Sequence, residues 1–401
     1  MTHSDNYPSR RHFIRMLGAA GLAGMLPASL AFASGVEGRY LMVIVLRGAL
    51  DGLAAVVPYH EQKLRDWRRI LVPPEPGEEN GALPLGTEGF ALHPSLKFLH
   101  SAYGDGKLAI LHAASSPYRE RSHFDGQDVL ESGGAAVLQS SDGWLNRALQ
   151  KTPGGLEAAA VGGALPLLLR GEAHAVTWAP STLPEPEDDT LERLMRMYEE
   201  DELLKTALQD AQALDMAAGD LEGDARGVAR GRDYVPVLQA GANLAASGAA
   251  GVVVMSLSGW DTHNNQGAES GSLAGRLRQL DKGLAVMKET MGPKWERTAV
   301  LVTTEFGRTV RVNGSRGSDH GTGGAAFLLG GAVNGGRMPG DWPGLAQSAL
   351  HEDRDLYPAN DLRALFKGVL RDHLGVARTD LDRSIFPDSS TVAPLGGLIN
   401  V

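Results

Sequence analysis

The sequence predicts an α/β protein in which a mainly parallel β-sheet is covered on both faces by helices. Apolar runs of five or six residues, β-branched or leucine-rich and too short for helices, alternate along the chain with amphipathic stretches. Between two of these runs, leucine and methionine recur at spacings of four and three, which marks the apolar face of a helix. Strand, helix and strand within about 50 residues form a βαβ unit.

Six strands are predicted, in chain order, at residues 41–46, 108–112, 165–169, 252–257, 298–303 and 325–329. The helix between the fourth and fifth strands presents Leu273, Leu277, Leu280, Leu284 and Met287 on one face. Near the end of the chain, Asn360 and Asp361 can cap a further helix that runs to about His373.

A helical insertion is predicted at about residues 186–235. Residues 188–220 are rich in Glu, Leu, Met and Ala and contain almost no β-branched residues, which is typical of a long helix or a helical pair. Two interpretations stay open for it, a solvated cap on the surface or a lid over a site. We expect the remainder of residues 34–401 to form a single α/β domain around the sheet.

Residues 1–33 have the features of an export signal. Arg10 and Arg11 precede an apolar pair and a further arginine, a pattern similar to the twin-arginine translocation signal. The moderately apolar stretch 16–30 is too short and too rich in glycine to span a bilayer, and residues 31–33 offer a small-x-small cleavage site. We expect the twin-arginine translocase to export the folded chain to the periplasm or beyond, with no stable membrane anchor.

Composition and charge exclude several classes of function. With 38 Lys+Arg against 48 Asp+Glu, the net charge is −10, so counterion release cannot drive nucleic-acid binding. The absence of cysteine excludes disulfides, thiolate metal sites and a cysteine nucleophile. The motifs of dinucleotide-binding, P-loop, zincin and α/β-hydrolase proteins are also absent.

Oxygen and imidazole side chains flank four of the predicted strands. In doubly wound sheets ligands bind beyond the carboxyl ends of the strands, so side chains that follow different strands can meet there. The candidates are Asp51, Asp261, His263, Glu305, Asp319 and His320. This set suits a divalent metal, Zn²⁺, Mn²⁺, Mg²⁺ or Ca²⁺. Each residue alone could equally have a structural role: a turn for Asp51, a loop histidine for His263 or His320, and an ion pair with Arg308 for Glu305.

Five stretches of the chain resemble the signature stretches of exported proteins known as domain-of-unknown-function family 1501. They are residues 47–52, 121–125, 259–263, 303–309 and 318–321. That family is grouped with the alkaline phosphatase and sulfatase superfamily. The resemblance covers nearly the whole mature chain, and it implies an alkaline-phosphatase-like three-layer α/β/α sandwich.

The resemblance also implies roles for the candidate residues. Asp51 is similar to the first-strand aspartate of that superfamily, the pair Asp261 and His263 to the ligands of one metal, and His320 to the late histidine. The Asp-His pair that normally follows the penultimate strand appears here as Glu305-Phe306, so one imidazole is missing. Asp319 is the candidate to replace it.

A hydrolase of this superfamily needs a nucleophile, usually a serine or threonine at a helix N-terminus. Ser122 fits, because it opens a polar stretch typical of a helix start, although plain N-capping accounts for it equally well. A rival is Ser115, whose Ser-Ser-Pro-Tyr-Arg context resembles the site that sulfatases mature to formylglycine. Arg308, with Arg47, Arg119 or Arg121, could bind a phosphate or sulfate group.

Two functions follow from these residues. The first is a metal-dependent hydrolase of phosphate or sulfate esters, acting on a small molecule or a glycan. The second is a non-catalytic exported protein on the same fold, which binds a glycan, a partner or one structural metal. The two are separated by whether Ser122 and the ligand candidates converge in space.

Overall fold

A computed structural model describes residues 38–86, 89–181, 188–219 and 225–400. The twin-arginine motif and the expected cleavage site at residues 31–33 lie outside the described residues. The prediction of export therefore stays a prediction.

Eleven strands occur in the described chain. They are β1 (Tyr40–Arg47), β2 (Val56–Pro58), β3 (Leu83–Pro84), β4 (Phe90–Leu92), β5 (Leu108–Ser115), β6 (Ala158–Val161), β7 (Ala175–Trp178), β8 (Val252–Ser258), β9 (Thr298–Thr303), β10 (Gly324–Leu329) and β11 (Asn360–Asp361). Eight of them form one sheet in the order β11-β5-β10-β9-β1-β8-β6-β7, and β2, β4 and β3 form a small antiparallel sheet.

The large sheet is parallel except at β10. This strand pairs antiparallel with both of its neighbours, β5 and β9, whereas the other pairs in the sheet are parallel. In the centre, Val43 of β1 lies between Val254 of β8 and Leu301 of β9. Every residue of β9 and β10 is buried, as expected of strands that are covered on both faces.

The helices are α1 (Gly52–Ala55), α2 (Gln62–Arg68), α3 (Lys97–Gly104), α4 (His123–Ser132), α5 (Trp144–Lys151), α6 (Asp188–Met197), α7 (Glu202–Ala218), α8 (Ala225–Ala229), α9 (Tyr234–Ser247), α10 (Ser272–Met291), α11 (Leu362–Leu374) and α12 (Arg378–Asp380). Short 3₁₀ turns cover Arg69–Leu71, Leu167–Leu169, Gly292–Arg297 and Gln347–Ala349, and one π turn covers Leu381–Ile385. Among the described residues, no helix is both long enough and apolar enough to cross a membrane.

Two hydrophobic cores lie on opposite faces of the sheet. Ile44 of β1 points into the first, which contains Leu238 of α9 and Leu284 of α10. Val43 points into the second, which contains Trp144 of α5, and Phe366 of α11 belongs to the same cluster. The alternation follows from the two-residue period of a strand. The fold is a three-layer α/β/α sandwich with a mainly parallel sheet, as predicted.

Five of the six predicted strands and both predicted helices are confirmed. The strand at residues 165–169 is wrong, because Leu167–Leu169 forms a 3₁₀ turn after Pro166. A leucine run of this length is typical of a buried strand, but Leu168 and Leu169 pack into the second core without joining the sheet. The strand in this region is β6, whose alanines have no β-propensity. Helices α6, α7 and α8 occupy the predicted insertion.

Candidate metal centre

The side chains that flank four strands meet at one edge of the sheet. Glu305 follows β9, Asp261 and His263 follow β8, and His123 begins α4 after β5. His320 precedes β10, and because β10 runs in the opposite direction, its amino end lies at the edge where its neighbours end. Convergence at this edge is the arrangement expected from the sequence, and it depends on the reversal of β10.

Three imidazoles converge on one carboxylate oxygen. Oδ1 of Asp261 lies 3.0 Å from Nε2 of His263, 3.2 Å from Nε2 of His320 and 3.5 Å from Nε2 of His123. The Nε2 atoms of His263 and His320 are 3.0 Å apart. The ligand atoms of His123, Asp261 and His320 all lie within 4.8 Å of one another. These four residues are called the His/Asp cluster below.

Each imidazole is held from behind through its Nδ1 atom. The pairs are His123 Nδ1 with Glu305 Oε1 at 2.8 Å, His263 Nδ1 with Asp319 Oδ1 at 3.0 Å, and His320 Nδ1 with the Arg121 carbonyl at 2.8 Å. Ionised carboxylates and carbonyls only accept hydrogen bonds, so each Nδ1 carries the proton. Each neutral ring then presents the lone pair of its Nε2 to the cluster. Histidines that bind metals are usually hydrogen-bonded in this way at their other ring nitrogen.

The donor set of the cluster fits a divalent cation. With Nδ1 protonated, His263 and His320 would point two lone pairs at each other across 3.0 Å, which requires a proton or a cation between them. The Nε2 atom of His123 is buried and has no hydrogen-bond partner. Imidazole nitrogens with one carboxylate oxygen are the ligands of zinc and related metals.

Charge and burial shift the pKa values of the cluster. Burial would raise the pKa of Glu305, but hydrogen bonds from His123 and from the Gly48 N–H lower it below its ordinary value. The same bond to Glu305 raises the pKa of His123, against the effect of burial. Burial lowers the pKa of His320, offset in part by its bond to the Arg121 carbonyl. Glu305 is therefore a buried anion that orients His123.

Arg308 lies behind Asp261. Its side chain is fully buried, and Nη2 donates to Asp261 Oδ1 at 2.7 Å. Burial tends to raise the pKa of Asp261, but Arg308 and the nearby histidines lower it. The suggested ion pair between Glu305 and Arg308 is not formed, because His123 takes the Glu305 carboxylate and Asp261 takes the guanidinium. Nε and Nη1 of Arg308 are buried without partners.

Asp51 contacts the loops of the site from behind and does not reach the cluster. Its buried carboxylate forms an ion pair with Arg68 and accepts a hydrogen bond from Gln266 Nε2 at 2.6 Å. Gln266 Oε1 accepts in turn from the hydroxyls of Thr262 and Ser318. These two residues adjoin His263 and Asp319, so the network fixes the two loops against each other.

Asp319 also lies outside the His/Asp cluster and contacts it through His263. Its Oδ1 atom accepts from Asn313 Nδ2 at 2.9 Å as well as from His263 Nδ1, and the bond from Asn313 is the main reason that its pKa is lowered. The ligand candidates therefore divide by position. Asp261, His263 and His320 form the inner group, whereas Glu305 and Asp319 act on it through histidines.

The two candidate nucleophiles have different surroundings. Ser122 occupies the N-cap position of α4 and is partly exposed, but its side chain makes no capping hydrogen bond. Its hydroxyl is therefore not committed to the helix, and it lies one residue from His123. Ser115 is buried at the end of β5, where its Oγ atom accepts from Arg119 at 3.3 Å.

The backbone around the cluster is tightly constrained. Gly48 has a φ of +117°, and a Cβ atom at this position would lie 2.5 Å from the N atom of Asp261. Only glycine allows β1 and the loop of Asp261 to approach so closely. Arg121 adopts φ +63°, a conformation that side chains other than glycine rarely take, and its carbonyl faces His320.

His123 is absent from the ligand candidates that the sequence suggests. It lies in the stretch 121–125 that carries the family resemblance, directly after Ser122. The sequence feature that could have identified His123 is its position as the first residue of a helix that starts near the carboxyl end of a buried strand. The same turn thus supplies both a candidate nucleophile and a candidate ligand.

A family model described as "Protein of unknown function (DUF1501)" matches residues 106–384. No curated protein matches the chain. Similar solved structures include the PsFucS1 sulfatase from Pseudoalteromonas sp., with 12% identity, 75% of this chain and 64% of that chain covered, and a TM-score of 0.33. The chain thus spans less than two thirds of the length of that sulfatase.

Two further similar structures are BT1596, a 2-O GAG sulfatase, and the PH0037 protein from Pyrococcus horikoshii. The first has 12% identity, 89% of this chain and 73% of that chain covered, and a TM-score of 0.30. The second has 11% identity, 73% and 85% coverage, and a TM-score of 0.26. At these values the likeness is one of general α/β architecture and says nothing about the chemistry of the site.

Proposed function

The chain belongs to the DUF1501 family, and from this premise we propose that it is a metal-dependent hydrolase of phosphate or sulfate esters. The observation that carries the proposal is the His/Asp cluster, in which three Nε2 atoms converge on Asp261 while each Nδ1 is anchored to an acceptor. Exposed His60 also bonds an acceptor through Nδ1, so the convergence of three Nε2 atoms on one carboxylate carries more weight than the anchoring alone.

His123, Asp261, His263 and His320 would hold the cation, with Zn²⁺ or Mn²⁺ favoured by the imidazole-rich set. When bound, such a cation supplies a Lewis acid that draws electron density from an ester oxygen. The side chains of the cluster are 23 to 41% exposed, so a substrate can reach them. A purely structural site would be closed by protein.

Ser122 is the proposed nucleophile. Its hydroxyl is partly exposed, makes no capping bond and adjoins His123. The N–H groups of the first turn of α4 lie beside it, and a helix N-terminus stabilises negative charge on a phosphate or sulfate group. Arg308 holds Asp261 in position through its 2.7 Å hydrogen bond and acts on the ester only through that residue.

We further propose that this reaction takes place outside the cytoplasm, after export by the twin-arginine translocase. Proteins that use this route fold before they cross the membrane, so the centre can be assembled and loaded in the cytoplasm. The support is the sequence pattern at Arg10 and Arg11.

Metal analysis of the purified chain tests the proposal. We expect about one divalent ion per chain in the parent and none in a His263→Ala/His320→Ala double variant, whereas His174→Ala, at a 65% exposed histidine, retains the metal. The loaded parent should hydrolyse 4-nitrophenyl phosphate or 4-nitrophenyl sulfate. A parent that takes up neither Zn²⁺ nor Mn²⁺ overturns the proposal, and a loaded chain without esterase activity favours a structural metal in a binding protein.

A further inference from the structure

A cavity of about 580 Å³ opens beside the His/Asp cluster, at the same edge of the sheet. It lies beyond the carboxyl ends of β1, β6 and β8, where Arg47, Gly162 and Ser258 contribute to its wall. One face of α4 forms another wall, with Phe124, Gln127, Asp128 and Glu131. Its volume falls within the range of about 300–1,000 Å³ typical of small-molecule sites.

The cavity is connected to the cluster by hydrogen bonds. Gln127 Nε2 lies 3.4 Å from Glu305 Oε1, the oxygen that also holds His123. The carbonyl oxygen of the Gln127 side chain accepts from Arg47, which forms an ion pair with Glu131. Along this path two side chains, Gln127 and Glu305, lie between the cavity and His123 of the cluster.

The lining of the cavity carries three arginines, Arg47, Arg170 and Arg230. Glu131 compensates Arg47, but Arg170 and Arg230 form no ion pair among the described residues. Arg230 is an exposed residue, and Nε of Arg170 donates to the Leu165 carbonyl. In a chain with a net charge of −10, two arginines in one cavity that form no ion pair with any described residue favour an anionic ligand.

The mouth of the cavity presents an aromatic ring. Phe124 is 88% exposed, the highest exposure among the large hydrophobic residues of the described chain. Aromatic rings at binding sites offer a flat face against which another ring can pack. Asp128 and the backbone around Gly162 and Gly163 add polar groups that can bond to hydroxyls.

We propose that this cavity binds a sugar ring that carries a second anionic group, a phosphate, sulfate or carboxylate. The ring packs on Phe124, and the second anion lies between Arg170 and Arg230. The claim that this sugar is a substrate rests on the proposed function, because it requires the ester that is cleaved to lie at the His/Asp cluster. The binding of the anionic sugar itself does not depend on turnover.

Calorimetric titration with glucose 1-phosphate and glucose 1,6-bisphosphate tests the cavity directly. We expect the parent to bind the bisphosphate at least tenfold more tightly at physiological salt. An Arg170→Gln/Arg230→Gln double variant should lose this preference, and Phe124→Ala should weaken the binding of both ligands. Arg196→Gln, at an exposed arginine of α6 outside the cavity, should keep the preference. Circular dichroism and thermal unfolding verify that each variant is folded.

The outcomes separate this inference from the proposed function. Equal affinities for the two sugars, or a preference that survives in the double variant, overturn the inference even if the loaded chain hydrolyses 4-nitrophenyl esters. Arginine-dependent binding by a loaded chain that hydrolyses no ester supports the cavity and overturns the hydrolase. Turnover together with arginine-dependent preference supports both.

Discussion

The Nε2 atoms of His263 and His320 lie 3.0 Å apart, close enough that a proton or a cation must lie between them. If a cation takes this place, it binds the folded chain and not the unfolded one, because the ligands come from distant parts of the sequence. We expect Zn²⁺ at 100 times its dissociation constant to stabilise the chain by about 2.7 kcal/mol. Differential scanning calorimetry with Zn²⁺ or a chelator measures this. A chelator-insensitive melting temperature in the parent would contradict it, and His263→Ala should abolish the effect.

Glu305→Gln tests whether the carboxylates that hold the histidines through Nδ1 contribute to metal binding. The amide keeps the shape of the side chain but removes the charge that fixes the tautomer of His123. We expect metal affinity to fall about 10- to 100-fold, as is usual for loss of an outer-shell partner. Competition with a chromophoric chelator gives the affinity. Asp319→Asn, at the corresponding position behind His263, serves as the matched comparison, and unchanged affinity in both would disprove anchoring through Nδ1.

Asp51→Asn separates a structural role from a ligand role. The substitution leaves Arg68 as a buried and unpaired charge, so we expect the free energy of unfolding to fall by about 3–5 kcal/mol. The metal content of the folded variant should stay that of the parent, because Asp51 does not reach the cluster. Urea unfolding and metal analysis give the two quantities. Loss of metal at unchanged stability would instead support the ligand role predicted from the sequence.

Ser122→Ala should remove activity and leave stability unchanged. Because the hydroxyl makes no capping bond, its removal does not incur the cost of about 1 kcal/mol that is typical of a lost N-cap. If Ser122 is the nucleophile, kcat falls while metal content does not. Ser115→Ala is the control for the rival serine. If Ser115→Ala loses activity and Ser122→Ala retains it, Ser115 and not Ser122 is the nucleophile.

Two buried histidines away from the centre predict a pH dependence of stability. Burial lowers the pKa values of His112 and His373 to about 4, from 6.5. Between pH 6.5 and 4 the unfolded chain binds the proton more readily, so stability falls as the pH falls, and above pH 6.5 these groups have no effect. Each contributes a loss of about 3 kcal/mol at about pH 4. In urea unfolding at about pH 7 and about pH 4.5, His373→Gln should lose less stability than the parent, and exposed His174→Gln should match the parent.

The sheet was predictable where the pattern was unambiguous. Long buried strands such as β1 and β9 appear as continuous β-branched and leucine runs, a pattern that few elements besides a buried strand produce. The alanines of β6 are equally compatible with a helix, and the leucines at 167–169 are buried for a reason unrelated to strand pairing. Burial can be inferred from such segments, but hydrogen-bond pairing cannot.

The location of the site could be predicted from the sequence, but the role of each residue in it could not. Asp261 and His263 follow a parallel strand, so their place at this edge follows from the sequence pattern. His320 reaches the same edge only because β10 is reversed, and the sequence pattern does not show that reversal. The division between inner ligands and second-layer groups depends on which way Glu305 and Asp319 turn, and spacing does not encode it. Asp51 follows β1 as expected, yet the distant Arg68 takes its carboxylate.

Because β10 is reversed, the centre can form only after β10 has docked into the sheet. A strand of six residues is about 20 Å long, so a parallel β10 would carry His320 to the far side of the molecule from Asp261. No local segment of the chain brings His123 and His320 near each other. Metal uptake by the proposed centre would therefore show that β10 has docked between β5 and β9, and so that folding is complete.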